Sequence, residues 1–308
     1  MSAQPISVPI VSETAVPAAA ANAARFGGGL VPYLLVAPLA AVFLLFFLIP
    51  MLLVIVVSFF NYESYQILIP DFTFQNYLDV FGEAVTWQTY LTTFKYCLIV
   101  WVLTFAIGFT VAYYLAFYVR TLTWQMVLFL VCTVPFWTSN VIRMISWIPL
   151  LGRNGVVNET LMALGIVDQP QEWLLYSDFS VILGFVHLFT VFMVVPIFNS
   201  MVRIDKSLIE AARDGGASEW ATIKHVILPL CRPGIAIGSI FVLTIVMGDF
   251  VTVTVLGGGL VASVGKSIAT ELNYLQFPPA AANAMVLLTI VILMMVGLSR
   301  IVDVRKEL

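Results

Sequence analysis

Long apolar stretches, separated by short polar ones, run from residue 30 to residue 302. A membrane-crossing helix needs about 20 mainly apolar residues. Six stretches reach that length: Leu30–Phe60, Thr89–Tyr118, Trp124–Leu150, Phe179–Met201, Gly234–Leu256 and Ala281–Arg300. They predict an all-α polytopic membrane protein with six transmembrane helices. Pro38 and Pro50 in the first stretch and Pro135 and Pro149 in the third predict kinks, because proline lacks the backbone N–H and crowds the preceding turn. Residues 1–29 are rich in Ala, Pro and Ser, with Glu13 and Arg25 their charged residues. They read as a flexible cytoplasmic tail, since a weak basic region before so long an apolar run does not match a secretory signal. Residues 303–308 read as a second short tail, and a polar inner loop at 203–230 interrupts the transmembrane domain at 30–302.

Composition excludes the soluble classes. Hydrophobic residues make up 61% of the 308 and charged residues 10%, with a net charge of -3. A soluble domain carries roughly 25% charged residues. So few charges cannot cover a water-facing surface, and no basic excess is present to attract nucleic acid. The three cysteines, Cys97, Cys132 and Cys231, lie in or beside apolar stretches without a C-x-x-C spacing, which reads as packing rather than a disulfide or metal framework.

The basic residues set an orientation. With both termini in the cytoplasm, ten Lys and Arg residues fall on the inner side, and Arg153 and Lys266 fall outside. Lys95 and Arg143 fall within spans. The outer loops carry nine acids, among them Asp178 and Glu271, partly because basic residues are excluded there.

The inner loop carries the most specific chemistry. Ser207 and Glu210 have capping-box spacing, predicting a helix start at Ser207. Gly215-Gly216 supplies the backbone freedom of a helix end. Ser218 and Glu219 predict a second N-terminus, Trp220, Ile223 and Ile227 share one face, and Pro229 is expected to end the second helix. Arg203, Lys206, Arg213 and Lys224 balance Asp205, Glu210, Asp214 and Glu219. A charge-neutral helix–turn–helix lacks the basic face that DNA binding needs and points to a protein partner.

This loop resembles the coupling loop of permease subunits of ATP-binding-cassette importers, which has the form E-A-A, three residues, G, nine residues, I-x-L-P. Glu210-Ala211-Ala212, Gly216 and Val226-Ile227-Leu228-Pro229 fall in register, with Val226 where the pattern has Ile. The resemblance implies a type I (MetI-like) permease fold, with Glu210, Ala211, Ala212, Asp214, Gly216, Leu228 and Pro229 as ATPase-coupling residues. It also implies a cytoplasmic ATPase dimer that holds ATP and Mg, a second and non-identical permease, a periplasmic or extracellular solute-binding protein, and a bacterial inner-membrane location. No catalytic residue, cofactor or metal is assigned to this chain. It has no G-x-x-x-x-G-K-[ST] loop, since Gly257-Gly258-Gly259 lacks the lysine. An ATP-independent channel or secondary transporter would not need the docking loop. A membrane enzyme is disfavoured because neither an H-E-x-x-H nor a G-x-S-x-G pattern occurs.

A narrower resemblance spans the third to fifth stretches. Val134-Pro-Phe-Trp-Thr-Ser-Asn-Val-Ile-Arg143, Leu150-Leu-Gly-Arg-Asn-Gly155 and Gly248-Asp-Phe-Val-Thr252 are similar to the first of the two permease subunits of spermidine/putrescine importers. Polyamines are the implied cargo, with other small organic cations or amino-acid derivatives as the alternative. Trp137, Asn140, Met144 and Trp147 follow helical spacing, and tryptophan faces attract ammonium groups. Together with Arg143 and Asp249 they form a candidate substrate path. Asp249 either pairs with Arg143 or contacts the cargo, because a lone carboxylate inside a span is costly. His187 reads as a packing or hydrogen-bonding residue.

Overall fold

The computed structural model describes residues 31–63 and 66–301, so the expected tails at 1–29 and 303–308 lie outside the described residues. The chain divides into two units, one ending at Leu53 and one beginning at Val54. Helix α1 (Tyr33–Val57) is 25 residues of almost unbroken apolar sequence. A π turn over Leu44–Leu48 lets the Ile49 N–H reach back to Leu44 O. It lies just ahead of Pro50, whose ring would otherwise press on a carbonyl of the preceding turn.

After the end of α1, the second unit contains a hairpin that the all-α reading did not. Strands β1 (Phe60–Glu63) and β2 (Gln66–Phe72) pair antiparallel, with Phe60 opposite Phe72 and Asn61 opposite Ile69. Aromatic and β-branched residues favour this pleated surface. Asn76, buried on α2 (Gln75–Gly82), donates to Ser58 O (3.0 Å) and Phe60 O (2.9 Å) and so ties down the base of the hairpin.

Helix α3 (Ala84–Tyr113) continues through a π turn at Tyr114–Tyr118, giving 35 helical residues. At 1.5 Å per residue it is about 50 Å long, more than the ~30 Å hydrocarbon layer, so one end projects or the helix tilts. Helix α4 (Leu122–Thr133) tightens into a 3-10 turn at Val134–Trp137, and α5 (Asn140–Leu151) follows with α6 (Val156–Ala163). The chain bends by 89° between Trp137 and Asn140. The expected third span is therefore broken, not merely kinked. Pro135 starts the tight turn, Thr138 N–H and Oγ1 both bond Pro135 O, and the extended Ser139 redirects the chain.

Helix α7 (Asp178–Val202) is continuous despite Pro196 and begins with a capping box between Ser177 and Ser180. The inner loop forms α8 (Lys206–Asp214) and α9 (Glu219–Leu230), and α10 (Arg232–Gly248) leaves α9 at 70°. The fifth stretch was expected to run from Gly234 to Leu256, but it stops at Gly248 and restarts as α11 (Val251–Gly257). Helices α12 (Val264–Asn273) and α13 (Phe277–Ile301) complete the chain. Among the described residues, four helices are long and apolar enough to cross a membrane. The count reaches six if each of two bent pairs is one span.

Helices α3, α7 and α10 form the centre of the second unit. Tyr96, Phe185, Met193, Ile197, Val242 and Met247 are almost wholly buried there. Lipid is as apolar as these side chains, so close van der Waals packing holds such a centre together. A Cβ at Gly108 would lie 2.9 Å from Met193 Cγ, and one at Gly238 would lie 2.8 Å from Met193 Sδ. The two glycines thus let α3 and α10 close on one methionine of α7. Trp101 Nε1 donates to Ser239 Oγ (2.8 Å), linking α3 to α10. Asp178 accepts from Lys95 Nζ and Tyr96 Oη, each at 2.5 Å, linking α7 to α3. Bonds of this kind contribute on average about 0.6 kcal/mol in a membrane.

Candidate functional site

Two sets of sequence-predicted residues lie in different surroundings. The loop residues 203–230 build a compact helix–turn–helix. The start of α8 is one residue earlier than expected. Asp205, not Ser207, is the N-cap, and its Oδ1 accepts from Ser207 N–H at 3.0 Å. That bond favours the carboxylate and holds the Asp205 pKa below its ordinary value. An aspartate at the cap also opposes the positive end of the helix, which a neutral serine cannot do.

The turn follows the glycine reading. Gly216 has φ +83, and Ala217 N–H reaches Ala212 O, the six-to-one bond of a left-handed helix end. Ser218 then caps α9 by accepting from Ala221 N–H at 3.2 Å. Arg213 Nη2 and Glu219 Oε1 approach to 3.9 Å across the turn. Both are exposed, so the pair is worth about 0–1 kcal/mol.

Pro229 does not end the second helix. A π turn at Ile223–Ile227 carries Leu228 N–H back to Ile223 O, and the helix runs on to Leu230. The wider turn accommodates the ring, as it does before Pro50. The bend comes at Cys231, which is buried, so the joint to α10 is packed in place. Ile209 and Ile227 anchor the pair of helices inward, while Glu210, Ala211, Asp214 and Gly216 are exposed. Trp220 was read as sharing the apolar face of Ile223 and Ile227, but it is 72% exposed. Periodicity put the three on one face, but that face leaves Trp220 at the surface while Ile227 is buried. A cleft of about 400 Å³ separates the loop from the end of α3; Tyr113, Tyr118, Arg120, Lys206, Glu210 and Arg213 are among its walls.

The second set lies on α4, α5, α7 and the α10–α11 joint. The expected stripe of Trp137, Asn140, Met144 and Trp147 is not one surface, because the 89° bend falls between its first two members. Trp137 is 85% exposed, whereas Met144 is fully buried. Trp147 Nε1 donates to His187 Nδ1 at 3.0 Å, with the rings edge to face. His187 is therefore a hydrogen-bond acceptor in this structure. Arg143 Nη2 donates to Asn140 Oδ1 (2.6 Å) and Thr138 O (3.3 Å), while its buried Nε has no partner.

Asp249 lies in the break between α10 and α11. Its Oδ1 accepts from Thr252 N–H at 2.8 Å, capping α11. Among the described residues the ion pairs are Lys95–Asp178, Arg153–Glu172 and Arg213–Glu219, so Arg143 and Asp249 are not paired. The carboxylate serves the chain as a helix cap. Sequence reasoning treated the fifth stretch as one helix and missed this role. The spacing Asp249 to Thr252, behind Gly248, was the available signal.

The family profile described as "Binding-protein-dependent transport system inner membrane component" matches residues 105–306. That covers the end of α3, the bent helices and the whole inner loop. The chain belongs to this family. It is the inner-membrane permease of an ABC importer, and it is not an enzyme: ATP hydrolysis belongs to a separate ATPase. The spermidine/putrescine transport system permease protein PotB of Escherichia coli (strain K12) is 31% identical over 268 residues, covering 86% of this chain and 96% of that protein. PotB of Haemophilus influenzae is 33% identical over 226 residues, covering 73% and 78%. A solved bacterial ABC transporter that imports the acidic polysaccharide alginate superposes with a TM-score of 0.71 at 17% identity, covering 88% of this chain and 94% of its own. At that identity the likeness concerns the fold of these permeases. Within the family match, loop 203–230 brings together the Asp205 and Ser218 caps, the Gly216 turn and the buried bend at Cys231.

Proposed function

We propose that this permease imports polyamines, spermidine or putrescine, across a bacterial inner membrane. Its six spans leave both termini in the cytoplasm. It works beside a second, non-identical permease, an ATPase dimer that holds ATP and Mg, and a solute-binding protein that docks on the acidic outer side. The identity to the PotB proteins over most of the chain supports the cargo. The observation that carries the mechanism is the loop. Glu210, Ala211, Asp214 and Gly216 are exposed on helices anchored by Ile209 and Ile227, and the packed bend at Cys231 joins them to α10. Small alanines allow close approach of an ATPase surface. Glu210 offers a carboxylate for charge-assisted hydrogen bonds, and Trp220 offers a ring to fill an apolar pocket. Closure of the ATPases would move the loop as a lever and switch the path between outward and inward access.

The test is uptake of labelled spermidine and putrescine by the complete importer in proteoliposomes, alongside ATPase activity stimulated by the binding protein. Glu210→Ala and Trp220→Ala should lower both activities while the chain still inserts. Unchanged stimulation and uptake in both variants would sink the coupling assignment. Uptake of another solute, with neither polyamine competing, would sink the cargo assignment.

A further inference from the structure

We infer that Arg143 is completed by a carboxylate of the second permease subunit, so that this chain brings a fixed cation, and not an amine-binding acid, to the shared path. The inference rests on the two-permease reading above. Four observations lead to it.

Arg143 is only partly partnered within its own chain. A guanidinium has five N–H donors. Both bonds that it makes use Nη2, both acceptors are neutral, and the buried Nε has none. The acid that the sequence suggested for it is engaged elsewhere, because Asp249 caps α11.

The position is deep. Arg143 precedes Trp147 by one helical turn, which puts the two on the same side of α5. Trp147 bonds His187, the tenth of 25 residues in α7. At 1.5 Å per residue that is roughly 14 Å below the first turn of α7. Lipid phosphate lies at the surface of the bilayer and not at this level.

Among the described residues, the cluster of Arg143, Asn140, Trp147 and His187 holds no second cation. A histidine that accepts a hydrogen bond at Nδ1 is not the imidazolium, which has donors on both nitrogens. The group as a whole therefore carries one positive charge. An ionisable group at such depth is paired, as a rule, with another charge or with backbone carbonyls. Nη2 is used by its two bonds and Nε is sealed inside the chain, so Nη1 is the nitrogen left to meet a carboxylate from outside.

The surrounding surface is prepared for a cover. Ile142 is 65% exposed, Ile145 51% and Trp137 85%. An apolar rim around a single unfilled cation fits a helix face of like polarity that carries one acid. The cargo proposed above is itself cationic and has no carboxylate to offer. It would be repelled by an unneutralised Arg143, so the same charge that joins the subunits also opens the path to amines.

The experiment uses the complete importer with a tag on this chain. Arg143→Gln and Arg143→Glu should reduce both the second permease retained on purification and polyamine uptake on the order of tenfold or more, the least expected when a buried charge loses its partner. In the Arg143→Glu background, each Asp and Glu within the apolar segments of the second permease is changed to Arg in turn. One exchange should restore retention and uptake. Ile142→Cys leaves the arginine in place and should form a disulfide with a cysteine introduced beside that position.

Full uptake by Arg143→Glu overturns the inference. So does failure of every exchange to restore it, and so does failure of Ile142→Cys to cross-link when variants at Arg143 do not accumulate. An intact complex in which Arg143→Gln alters selectivity among carboxylate-bearing solutes assigns the arginine to cargo. Dependence of the defect on the anionic lipid of the vesicle assigns it to a headgroup. Either result overturns the pairing. An active importer without a second permease removes the earlier reading and this one with it, whereas a second permease without a charge partner removes this one alone.

Discussion

The inner loop and the α5–α7–α11 region differ in how far apart their determining residues lie. In the loop, the bonds that set its shape connect residues two to five apart: Asp205 to Ser207, Ala212 to Ala217, Ser218 to Ala221. In the second region, Trp147 bonds His187 forty positions away. Ser180 Oγ bonds Leu256 O, 76 positions away. Local bonds can be written into a short motif and read back from it. Distant ones depend on how helices cross, which no short motif encodes. The same contrast explains why Glu210, Ala211, Asp214 and Gly216 are exposed together, with Ala212, Leu228 and Pro229 half-buried, while the stripe of Trp137, Asn140, Met144 and Trp147 is scattered between surface and core.

The sharpest way to break this contrast is at Gly216. Proline cannot adopt its φ of +83, and any other L-residue there meets a left-handed penalty of about 1–2 kcal/mol. Gly216→Pro should abolish polyamine uptake and binding-protein stimulation of the ATPase, with normal membrane insertion. Normal stimulation in this variant would show that the turn is not part of coupling.

A distant contact is tested at Gly238. A valine there would strike Met193, and overpacking of this kind costs typically about 1–3 kcal/mol. Gly238→Val should lower the melting temperature of the detergent-purified complex. Gly238→Val with Met193→Ala should recover part of the loss, since the larger cavity admits the new side chain. No recovery would place the strain elsewhere.

A smaller effect separates the two roles of charge in the α5–α11 region. Asp249→Ala removes a helix cap and should cost about 1 kcal/mol, whereas Asp249→Asn keeps a capping oxygen and should cost little. Because Arg143 and Asp249 are not paired, Asp249→Ala and Arg143→Gln should add within about 0.5 kcal/mol in a double-mutant cycle of detergent stability. A larger coupling would restore the ion pair that the sequence suggested.

A further effect is a dependence on pH at Glu271. Glu271 on α12 accepts from Asn283 Nδ2 of α13 at 2.7 Å, and its Oε2 is buried without a partner. Burial, with Glu83 nearby, raises its pKa to about 7. Between the ordinary glutamate value of 4.5 and about 7 the folded protein therefore holds a proton that the unfolded chain has released. The resulting stability is present in full below the lower value and is lost as pH rises through the upper one. The melting temperature should fall between pH 5 and pH 8, and Glu271→Gln should flatten that slope. An equal slope in both proteins would assign the dependence to another group.

Much of the inner loop was legible because its signals are local. Glu210, Ala211, Ala212 and Gly216 fall on the expected helix and turn, and Ser218 caps the second helix. The errors there are also instructive. Asp205 displaces Ser207 as cap because an ionised oxygen is the stronger partner for free N–H groups at a positive helix end. Pro229 fails to stop α9 because a π turn absorbs its ring. Trp220 illustrates a different limit: spacing says which residues share a face, but not whether that face has a neighbour to cover it.

Taken by itself, the sequence determined that this chain lies in a membrane, where its long helices begin and end to within several residues, and which loop folds as a helix–turn–helix. Each of these follows from hydropathy or from bonds spanning a single turn of helix. The tertiary structure alone decided that the third stretch breaks by 89° and that Asp249 caps a new helix instead of pairing. It alone decided that α3 and α10 close on Met193. In lipid the hydrophobic effect does not sort one apolar helix face from another. Which faces meet is left to the fit of small and large side chains and to single polar bonds between distant residues, and those exist only once the helices are assembled.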